Sequence, residues 1–239
     1  RPGYGVQTRE LNQAQTILQN QIGNVADSLF ENGARVIKGE PALHNDEKYV
    51  NISVPLSRDK SVYIGAKTSY NGLTATITHV EEVSGTDPYT IYLTYSSTGN
   101  SGETEYVASN EITVVSSAGE EQTIVTANGV GSVLYVDSGI YYMNSTFVAN
   151  EAMSIALSKY GVLESGSDVR VGFEITQDIV TADDDSSLYD NASGTTNENA
   201  PGAHRYRITT ALKTFSDLTG ADNVDVVIPD QSKFIEIVR

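Results

Sequence analysis

The acidic triplet Asp183-Asp184-Asp185, with Asp190 close behind it, is the group of side chains best suited to chemistry. Hard cations such as Ca²⁺ bind several oxygen ligands at once, and a loop rich in Asp and Asn can supply them. In an EF-hand loop, however, the ligands alternate along the chain and end in a Glu. The spacing here fails that pattern, so we predict a solvated acidic loop and no metal site.

Histidine is scarce, and the three residues, His44, His79 and His204, stand far apart. None of them has a second His at the His-x-His or His-x-x-x-His spacing that is typical of zinc sites. His79 falls on the polar side of an alternating segment, which predicts an exposed ring. We predict no catalytic or ligand role for any of the three.

Motifs for nucleophilic or phosphate chemistry are also missing. Ser165 lacks the Gly that precedes the nucleophile by two residues in a Gly-x-Ser-x-Gly elbow. Gly129-Val130-Gly131 lacks the third Gly of a dinucleotide-binding loop, and the sequence has no Cys to act as a thiolate. We therefore predict no catalytic residue, no cofactor and no enzymatic activity. A polysaccharide-degrading enzyme stays an alternative, because its two carboxylates meet in space rather than in sequence.

The charge balance restricts the partners of the chain. Asp plus Glu total 31 against 15 Lys plus Arg, so the formal net charge is −16 and the pI about 4.4. Such a surface repels phosphate groups, which disfavours nucleic acids and anionic membranes as partners. No apolar run approaches the roughly 20 residues that span a bilayer. We expect neither nucleic-acid binding nor membrane insertion.

The strongest helix pattern lies near the N-terminus, where Thr8 is a suitable N-cap and Asn32-Gly33 a suitable stop. Between them the sequence is rich in Gln, Leu and Ala, which favour a helix. An apolar stripe recurs at spacings of three or four residues and predicts a helix of about five or six turns. The stripe residues are Leu11, Ala14, Leu18, Ile22, Val25 and Leu29.

Two interpretations of this stripe are open. The helix can lie on its own domain as an ordinary amphipathic helix. Alternatively, it packs against copies of itself around a symmetry axis, as in a short parallel coiled coil. In the second case the six stripe residues form an oligomer interface.

From residue 34 onward the sequence changes to short apolar or alternating runs separated by Gly, Asn, Ser and Pro, as in β-strands. A polar stretch over 181–203 interrupts the pattern and is predicted to be a long loop. The predicted strands are 35–38, 49–54, 61–66, 73–81, 89–95, 111–116, 122–126, 131–136, 139–147, 169–180, 204–212, 224–228 and one at the C-terminus.

These segments predict a mainly β fold with one long N-terminal α-helix, built from sandwich- or barrel-like domains, one inserted into the other. We place the helix and the first strands of a framing domain at 1–49 and an inserted small all-β domain at 50–130. Residues 131–239 then form a second β part that closes the framing domain. The sequence starts without Met and ends in a strand-like run, so we expect an internal segment of a longer polypeptide.

Three groups of residues resemble a family of phage structural domains. The first comprises residues 1–13 and 16–22, which read RPGYGVQTRELNQ and TILQNQI. The second comprises Gly139-Ile140-Tyr141-Tyr142 with Phe147-Val148, and the third spans residues 179–205. The family they resemble is a domain of unknown function in virion structural proteins of tailed phages, including cyanophages. Residues 56–130 are outside the resemblance.

The resemblance implies a structural virion protein of the baseplate or the attachment end of a tail fibre, made in the host cytoplasm. The implied partners are further copies of the chain, with a homotrimer as the natural closed symmetry, and other tail or baseplate proteins. The resemblance implies no catalytic residues. A receptor- or glycan-binding fibre module is the alternative, and it requires an exposed aromatic cluster on the inserted β domain.

Overall fold

The computed structural model describes residues 7–164, 166, 169–194, 196, 198–215 and 233–238. It is mainly β with one α-helix near the N-terminus in the part described, which confirms the predicted fold class. Helix α1 spans Thr8–Asp27, and 3₁₀ turns span Lys60–Val62 and Ser186–Leu188. The strands are β1 (Arg35–Lys38), β2 (Pro41–Ile52), β3 (Lys67–Tyr70), β4 (Leu73–Glu81), β5 (Tyr89–Tyr95), β6 (Glu111–Ser116), β7 (Gly119–Val136), β8 (Gly139–Met143), β9 (Thr146–Asn150), β10 (Met153–Ser158), β11 (Val171–Val180), β12 (Arg205–Thr214) and β13 (Phe234–Val238).

Two compact units divide the chain, and each is discontinuous in sequence. The barrel unit comprises residues 41–137 and 152–168, and the helical unit comprises residues 1–40, 138–151 and 169–239. The barrel unit therefore begins at residue 41, whereas the sequence predicted an inserted domain that begins at residue 50. The reason is the long pairing of β2 with β7, which starts at Pro41.

The barrel unit is a closed antiparallel barrel with one additional strand. Its strands follow the order β10-β7-β2-β5-β4-β3-β6, and β7 also pairs with β6. The strands from β7 to β6 in this order form a ring of six, and β10 is the additional strand. Strand β7 closes the ring, because its first part pairs with β6 up to Ile124 and the rest pairs with β2 from Val125 onward. Closure of this kind leaves no open edge among the six ring strands.

The barrel core consists of the inward side chains of the ring strands. In β4, Leu73, Ala75 and Ile77 are buried at alternate positions, as the period-two pattern predicts. Residues of β2, β5 and β6 complete the same cluster. Tyr63 and Tyr106, which lie outside the strands, fill the barrel as well.

The helical unit contains α1 and two small sheets, with strand orders β1-β8-β9 and β12-β11-β13. Strands β8 and β9 form a hairpin whose two turn residues, Asn144 and Ser145, have φ values of 48° and 60°. Positive φ at both positions is typical of the tight turns that suit the twist of a hairpin. Tyr141 of β8 packs edge-on against Phe173 of β11, with ring centroids 4.9 Å apart.

Several predicted elements are confirmed and others are corrected. Strands 73–81, 89–95 and 111–116 are confirmed at their bounds. The strand predicted at 61–66 is wrong, because Asp59 caps a 3₁₀ turn there by accepting a hydrogen bond from the Ser61 N–H. Segments 122–126 and 131–136 belong to the single strand β7, and 139–147 is a hairpin. The strand predicted at 224–228 lies outside the described residues.

The ends of α1 also differ from the prediction. Gln7, not Thr8, is the N-cap, and its backbone N–H donates to the Glu10 carboxylate at 2.9 Å. The helix ends at Asp27 with Ser28 as C-cap, before the predicted stop at Asn32-Gly33. Strand β10 was not predicted, although Met153, Ile155 and Leu157 alternate with the smaller residues of this segment.

Candidate functional site

The C-terminal part of α1 is fixed to the β8–β9 hairpin. Gly23 and Ala26 are the buried residues among the described side chains of α1, and a Cβ on Gly23 would lie 3.3 Å from Ser145. The Tyr142 hydroxyl donates to the Asp27 carboxylate, and it also lies 3.3 Å from the Gly23 carbonyl. The Ser145 hydroxyl donates to the same carboxylate at 3.0 Å. Packing and hydrogen bonds together position this end of the helix.

An aromatic cluster fixes the chain where it leaves α1. Phe30 lies 5.7 Å from Tyr142 and 5.8 Å from Phe147 between ring centroids. The Asn144 backbone N–H donates to the Asn32 side-chain oxygen at 3.0 Å. The hairpin thus holds both the last turn of the helix and the segment after it.

The predicted stripe occupies a different face of α1. Since successive helical residues are about 100° apart, the stripe is centred about 110° from Gly23 and Ala26. Ala14 is exposed, and Leu29 lies just beyond the helix end. The exposed fractions of the large stripe residues are 60% for Leu11, 57% for Leu18, 57% for Ile22, 60% for Val25 and 70% for Leu29. The structure therefore brings Leu11, Ala14, Leu18, Ile22 and Val25 to one face of the helix, with Leu29 just beyond its end, and no described residue covers them. The oligomer interface stays a prediction.

The N-terminal two-thirds of α1 lacks any covering side chains within the described chain. Every residue from 9 to 22 is exposed, whichever side of the helix it occupies. Residues 11–26 include no charged side chain, so no ion pairs stabilise the helix along this length. A lone helix of this size is marginal in water, and helices in proteins gain most of their stability from packing.

An apolar groove extends the exposed stripe towards the hairpin. Ile22, Val25 and Leu29 line it together with Phe147, which is 41% exposed. An adjoining cavity is lined by Ile22, Phe147 and Tyr206, and Tyr206 is 61% exposed. Phe147 and Tyr206 were not predicted as surface residues of this site. No local pattern connects them to the helix, because they lie on distant strands.

The barrel unit contains a polar cluster around His79. A β-bulge between Ile77 and His79 turns the ring to the outer side of the barrel, alongside Tyr92. The predicted exposure is wrong, since His79 is only 4% exposed. Its Nδ1 lies 2.7 Å from the Ser154 hydroxyl and its Nε2 lies 2.7 Å from the Glu81 carboxylate. The prediction failed because β10, which contributes Ser154, covers this side of the barrel.

The Glu81 carboxylate completes this cluster. Burial favours the neutral carboxyl, but the hydrogen bond from His79 and the positive charges of His79 and Lys159 outweigh it. The pKa of Glu81 therefore lies below its ordinary value. The Lys159 ammonium is 3.6 Å from Glu81 and 3.4 Å from Asp87.

The chain of Ser154, His79 and Glu81 has the connectivity of a catalytic triad but not its orientation. In serine hydrolases the nucleophile bonds to Nε2 and the carboxylate bonds to Nδ1. Here the two nitrogens are exchanged, and the ring is enclosed beside Tyr92 with centroids 5.5 Å apart. This arrangement suits a structural connection between β4 and β10.

The acidic triplet is engaged in local turn contacts. Asp184 accepts a hydrogen bond from the Thr181 N–H at 3.0 Å, and Asp185 accepts one from the Ser187 N–H at 2.9 Å. Asp183 accepts one from the Tyr189 hydroxyl at 3.0 Å. Within the described residues, no three His, Asp or Glu side chains come together as a metal site.

Among the same residues, no helix is long and apolar enough to cross a membrane.

Comparisons with known proteins identify one part of the chain. No curated protein and no solved structure matches the chain. A family model described as a domain of unknown function (DUF4815) matches residues 110–228. Two of the three residue groups that carry the resemblance, at 139–148 and 179–205, lie inside this range, and residues 1–22 lie outside it. The chain therefore contains a domain of unknown function, DUF4815, at residues 110–228.

Proposed function

We propose that this chain is a structural component of a phage tail, in the baseplate or at the attachment end of a tail fibre. It acts by self-assembly, and α1 supplies the contact between copies. Further tail or baseplate proteins bind the resulting oligomer. The proposal includes no catalytic step and no cofactor.

The observation that carries the assembly proposal is the state of α1. Leu11, Leu18 and Ile22 are each more than half exposed on a helix that has no charged residue from 11 to 26. Burying such side chains is worth about 1.5 to 3 kcal/mol each, and a lone helix of this kind is marginal. A contact that covers the stripe therefore stabilises both the helix and the assembly.

The tail location is supported by a different observation. The residue groups at 1–22, 139–148 and 179–205 resemble virion structural domains and occur in the same order. A closed ring with three-fold symmetry is the natural assembly for a fibre-like part, and it brings three stripes to one axis. Immunogold labelling of virions that carry the chain tests the location, and label on the head would contradict it.

The assembly is tested by static light scattering over a range of concentrations. We expect a trimer for the unaltered chain and a monomer for Leu18→Glu, because a charge then enters the apolar seam. Gln13→Glu is the matched control, since it adds the same charge to an exposed residue on the opposite face of α1. A monomeric unaltered chain, or equal behaviour of the two variants, would contradict the proposal.

Glycan binding is a second candidate function, favoured by one observation on the barrel unit. Tyr160 is 46% exposed and packs edge-on against Tyr49, with centroids 5.5 Å apart. Such an aromatic pair offers an apolar ring beside a polar hydroxyl. The unaltered chain and Tyr160→Ala are compared on a glycan array. Binding by the unaltered chain that is lost in the variant would support this function. If the unaltered chain does not bind, the glycans on the array are excluded as ligands.

A further inference from the structure

Strand β12 is a long edge strand whose outer edge has no neighbouring strand among the described residues. It stands at the end of the sheet order β12-β11-β13, and all ten of its residues pair with β11 without a bulge. Its sequence contains no proline, and residues 205–207 are exposed. Edge strands of proteins are often short, bulged or covered, because a regular uncovered edge is a template for a further strand.

The hydrogen bonds to β11 show which backbone groups of β12 face this outer edge. The Phe215 N–H donates to the Arg170 carbonyl at 2.9 Å, at the end of the ladder between the two strands. Because hydrogen-bonded pairs alternate along an antiparallel ladder, the odd-numbered residues from 205 to 213 bond to β11. The even-numbered residues therefore point their N–H and C=O groups to the outer edge. They are Tyr206, Ile208, Thr210 and Leu212.

One face of β12 is basic. Arg205, Arg207 and Lys213 lie on this face, because alternate residues of a strand point the same way. Among the described residues, Arg207 alone of the three forms an ion pair, with Asp178 of β11 at 2.6 Å. We call these three residues the basic row. It stands out in a chain whose net charge is −16.

The opposite face of β12 is turned towards other parts of the helical unit. The Thr210 hydroxyl donates to Asn150 of β9, and Tyr206 lines a cavity beside α1. Ile208 and Leu212 are partly buried on the same face. An added strand would therefore meet a basic row on one face and apolar side chains on the other.

The basic row indicates the charge of the strand that suits this edge. On the inner side, β11 places Glu174 and Asp178 on the same face as the row. Opposite charges on neighbouring strands stabilise their pairing, and like charges directly opposite destabilise it. A second copy of β12 would bring another basic row to the edge, so the row disfavours pairing between copies here. A strand with acidic residues at alternate positions complements it.

We propose that the outer edge of β12 binds an extended acidic segment of another tail or baseplate protein as an added antiparallel strand. Acidic side chains of this segment face the basic row, and apolar residues between them pack beside Ile208 and Leu212. The antiparallel direction follows the other two pairings of this sheet and is the more stable per residue. The inference rests on the proposed function, which includes such partners, and assigns them a surface.

A synthetic peptide tests the pairing on the full chain. The probe is Glu-Val-Thr-Val-Thr-Val-Glu-Val-Glu with a fluorescent label, and fluorescence anisotropy measures its binding. In antiparallel register its Glu side chains face Lys213, Arg207 and Arg205, and its Val N–H groups face β12. The same peptide with Lys in place of Glu is the charge control. We expect it to bind at least about tenfold more weakly, because like-charged pairs replace opposite ones.

Methylation of the peptide backbone distinguishes an added strand from mere attraction between charges. N-methylation of the second Val removes an N–H that faces β12, whereas N-methylation of the Thr after it removes one that faces solvent. We expect the first change to weaken binding at least about fivefold and the second by less than about twofold. If both methylated peptides bind equally, or if only Thr methylation weakens binding, the proposed antiparallel strand is wrong.

Charge reversal on β12 shows where the peptide binds. We expect the double variant Arg205→Glu, Lys213→Glu to prefer the Lys peptide to the Glu peptide. Lys60→Glu, Lys67→Glu makes the same change of charge at exposed positions of the barrel unit and should keep the original preference. Thermal unfolding checks that both double variants are folded. Unchanged binding of the Glu peptide to the β12 variant would overturn the inference, as would an unaltered chain that does not bind this peptide.

Light scattering of the unaltered chain separates this inference from the proposed self-assembly. A trimer that does not bind the Glu peptide overturns the inference and leaves self-assembly standing. A monomer that binds the peptide with the expected preferences rejects self-assembly and supports strand addition at β12.

Discussion

The buried side chain of His79 in the barrel unit is hydrogen-bonded through both ring nitrogens. His79 on β4 bonds to Ser154 on β10 through one ring nitrogen and to Glu81 through the other, both at 2.7 Å. Each bond satisfies a group that burial would otherwise penalise. The imidazole therefore stabilises the unit by connecting β10 to the ring strands.

Replacing this imidazole should destabilise the barrel unit. We expect His79→Ala to lower the free energy of unfolding by about 2 to 4 kcal/mol, because it removes both hydrogen bonds and leaves a cavity. Urea unfolding measures the change. His204→Ala, at an exposed His, is the control and should stay within about 0.5 kcal/mol of the unaltered chain. Equal effects of the two would mean that the His79 contacts contribute nothing.

Glu81 makes the free energy of unfolding of the barrel unit depend on pH. Its pKa in the folded chain lies below its ordinary value of 4.5, so the ionised carboxylate stabilises the fold above that pH. The contribution is lost as the pH falls through the folded pKa. We expect Glu81→Gln to lower the free energy of unfolding by about 1 to 2 kcal/mol at pH 7. Unfolding curves from pH 7 to 3 should show this difference shrinking, and a constant difference would refute the ionic role.

At the scale of single elements, α1 combines one anchored end with one uncovered end. Tyr142 of β8 holds the last turn through Asp27, whereas residues 9–22 are exposed all round. The two ends should therefore differ in protection from hydrogen exchange in a monomeric variant such as Leu18→Glu. We expect residues 9–22 to exchange faster than residues 23–27, because a helix without packing contacts is marginal in water.

Removal of the Tyr142 hydroxyl should weaken the attachment of α1 to the β8–β9 hairpin. We expect Tyr142→Phe to cost about 1 to 2 kcal/mol, because the Asp27 carboxylate loses the hydrogen bond from the hydroxyl. Hydrogen exchange should rise in residues 23–27 of the helix, as measured by mass spectrometry. Tyr206→Phe is the matched control, since that ring is 61% exposed. Increased exchange in both variants alike would mean that the hydroxyl is not the anchor.

Strand β10 and the segment after it depend on a glycine of β7. A Cβ on Gly131 would lie 2.8 Å from the Ser158 carbonyl oxygen and 2.9 Å from that of Lys159. Backbone atoms cannot yield as a flexible side chain does, so we expect Gly131→Ala to cost about 1 to 3 kcal/mol. Thermal unfolding measures the cost. Thr126→Ala, at an exposed position of the same strand, should change it by less than about 0.5 kcal/mol. An unchanged melting temperature for Gly131→Ala would contradict the close packing.

For the whole molecule, the important property is the uneven distribution of charge. The chain has a net charge of −16, whereas the proposed contact surface on α1 is uncharged from residue 11 to 26. Copies of the chain therefore repel one another outside the seam, while the seam itself contains no ion pair that salt could weaken.

Salt should strengthen the assembly. The screening length falls from about 10 Å at 0.1 M to about 3 Å at 1 M ionic strength, so repulsion between copies declines as salt is added. We expect the dissociation constant of the oligomer to fall several-fold between about 50 and 500 mM NaCl, as followed by light scattering. Leu18→Glu should remain monomeric at both salt concentrations. Dissociation by salt would instead indicate an interface built on ion pairs.

Local patterns in the sequence determined the mainly β fold, the bounds of strands such as 73–81 and 111–116, and the stripe of α1. Each depends on side-chain spacing within one element, because a helix and a strand bury residues at periods of 3.6 and 2. The residue groups at 139–148 and 179–205 indicated a domain of unknown function, and the family model places one at 110–228.

Only the tertiary structure decided which elements meet. It closed the barrel through β7, buried His79 beneath β10 and placed Phe147 and Tyr206 beside the stripe. It also showed that the stripe is uncovered within the described chain, which favours the oligomeric interpretation left open by the sequence. The spacing of apolar residues along the chain indicates which face of a helix or strand is apolar. Whether that face is covered depends on partners far away in sequence, and no local period encodes them.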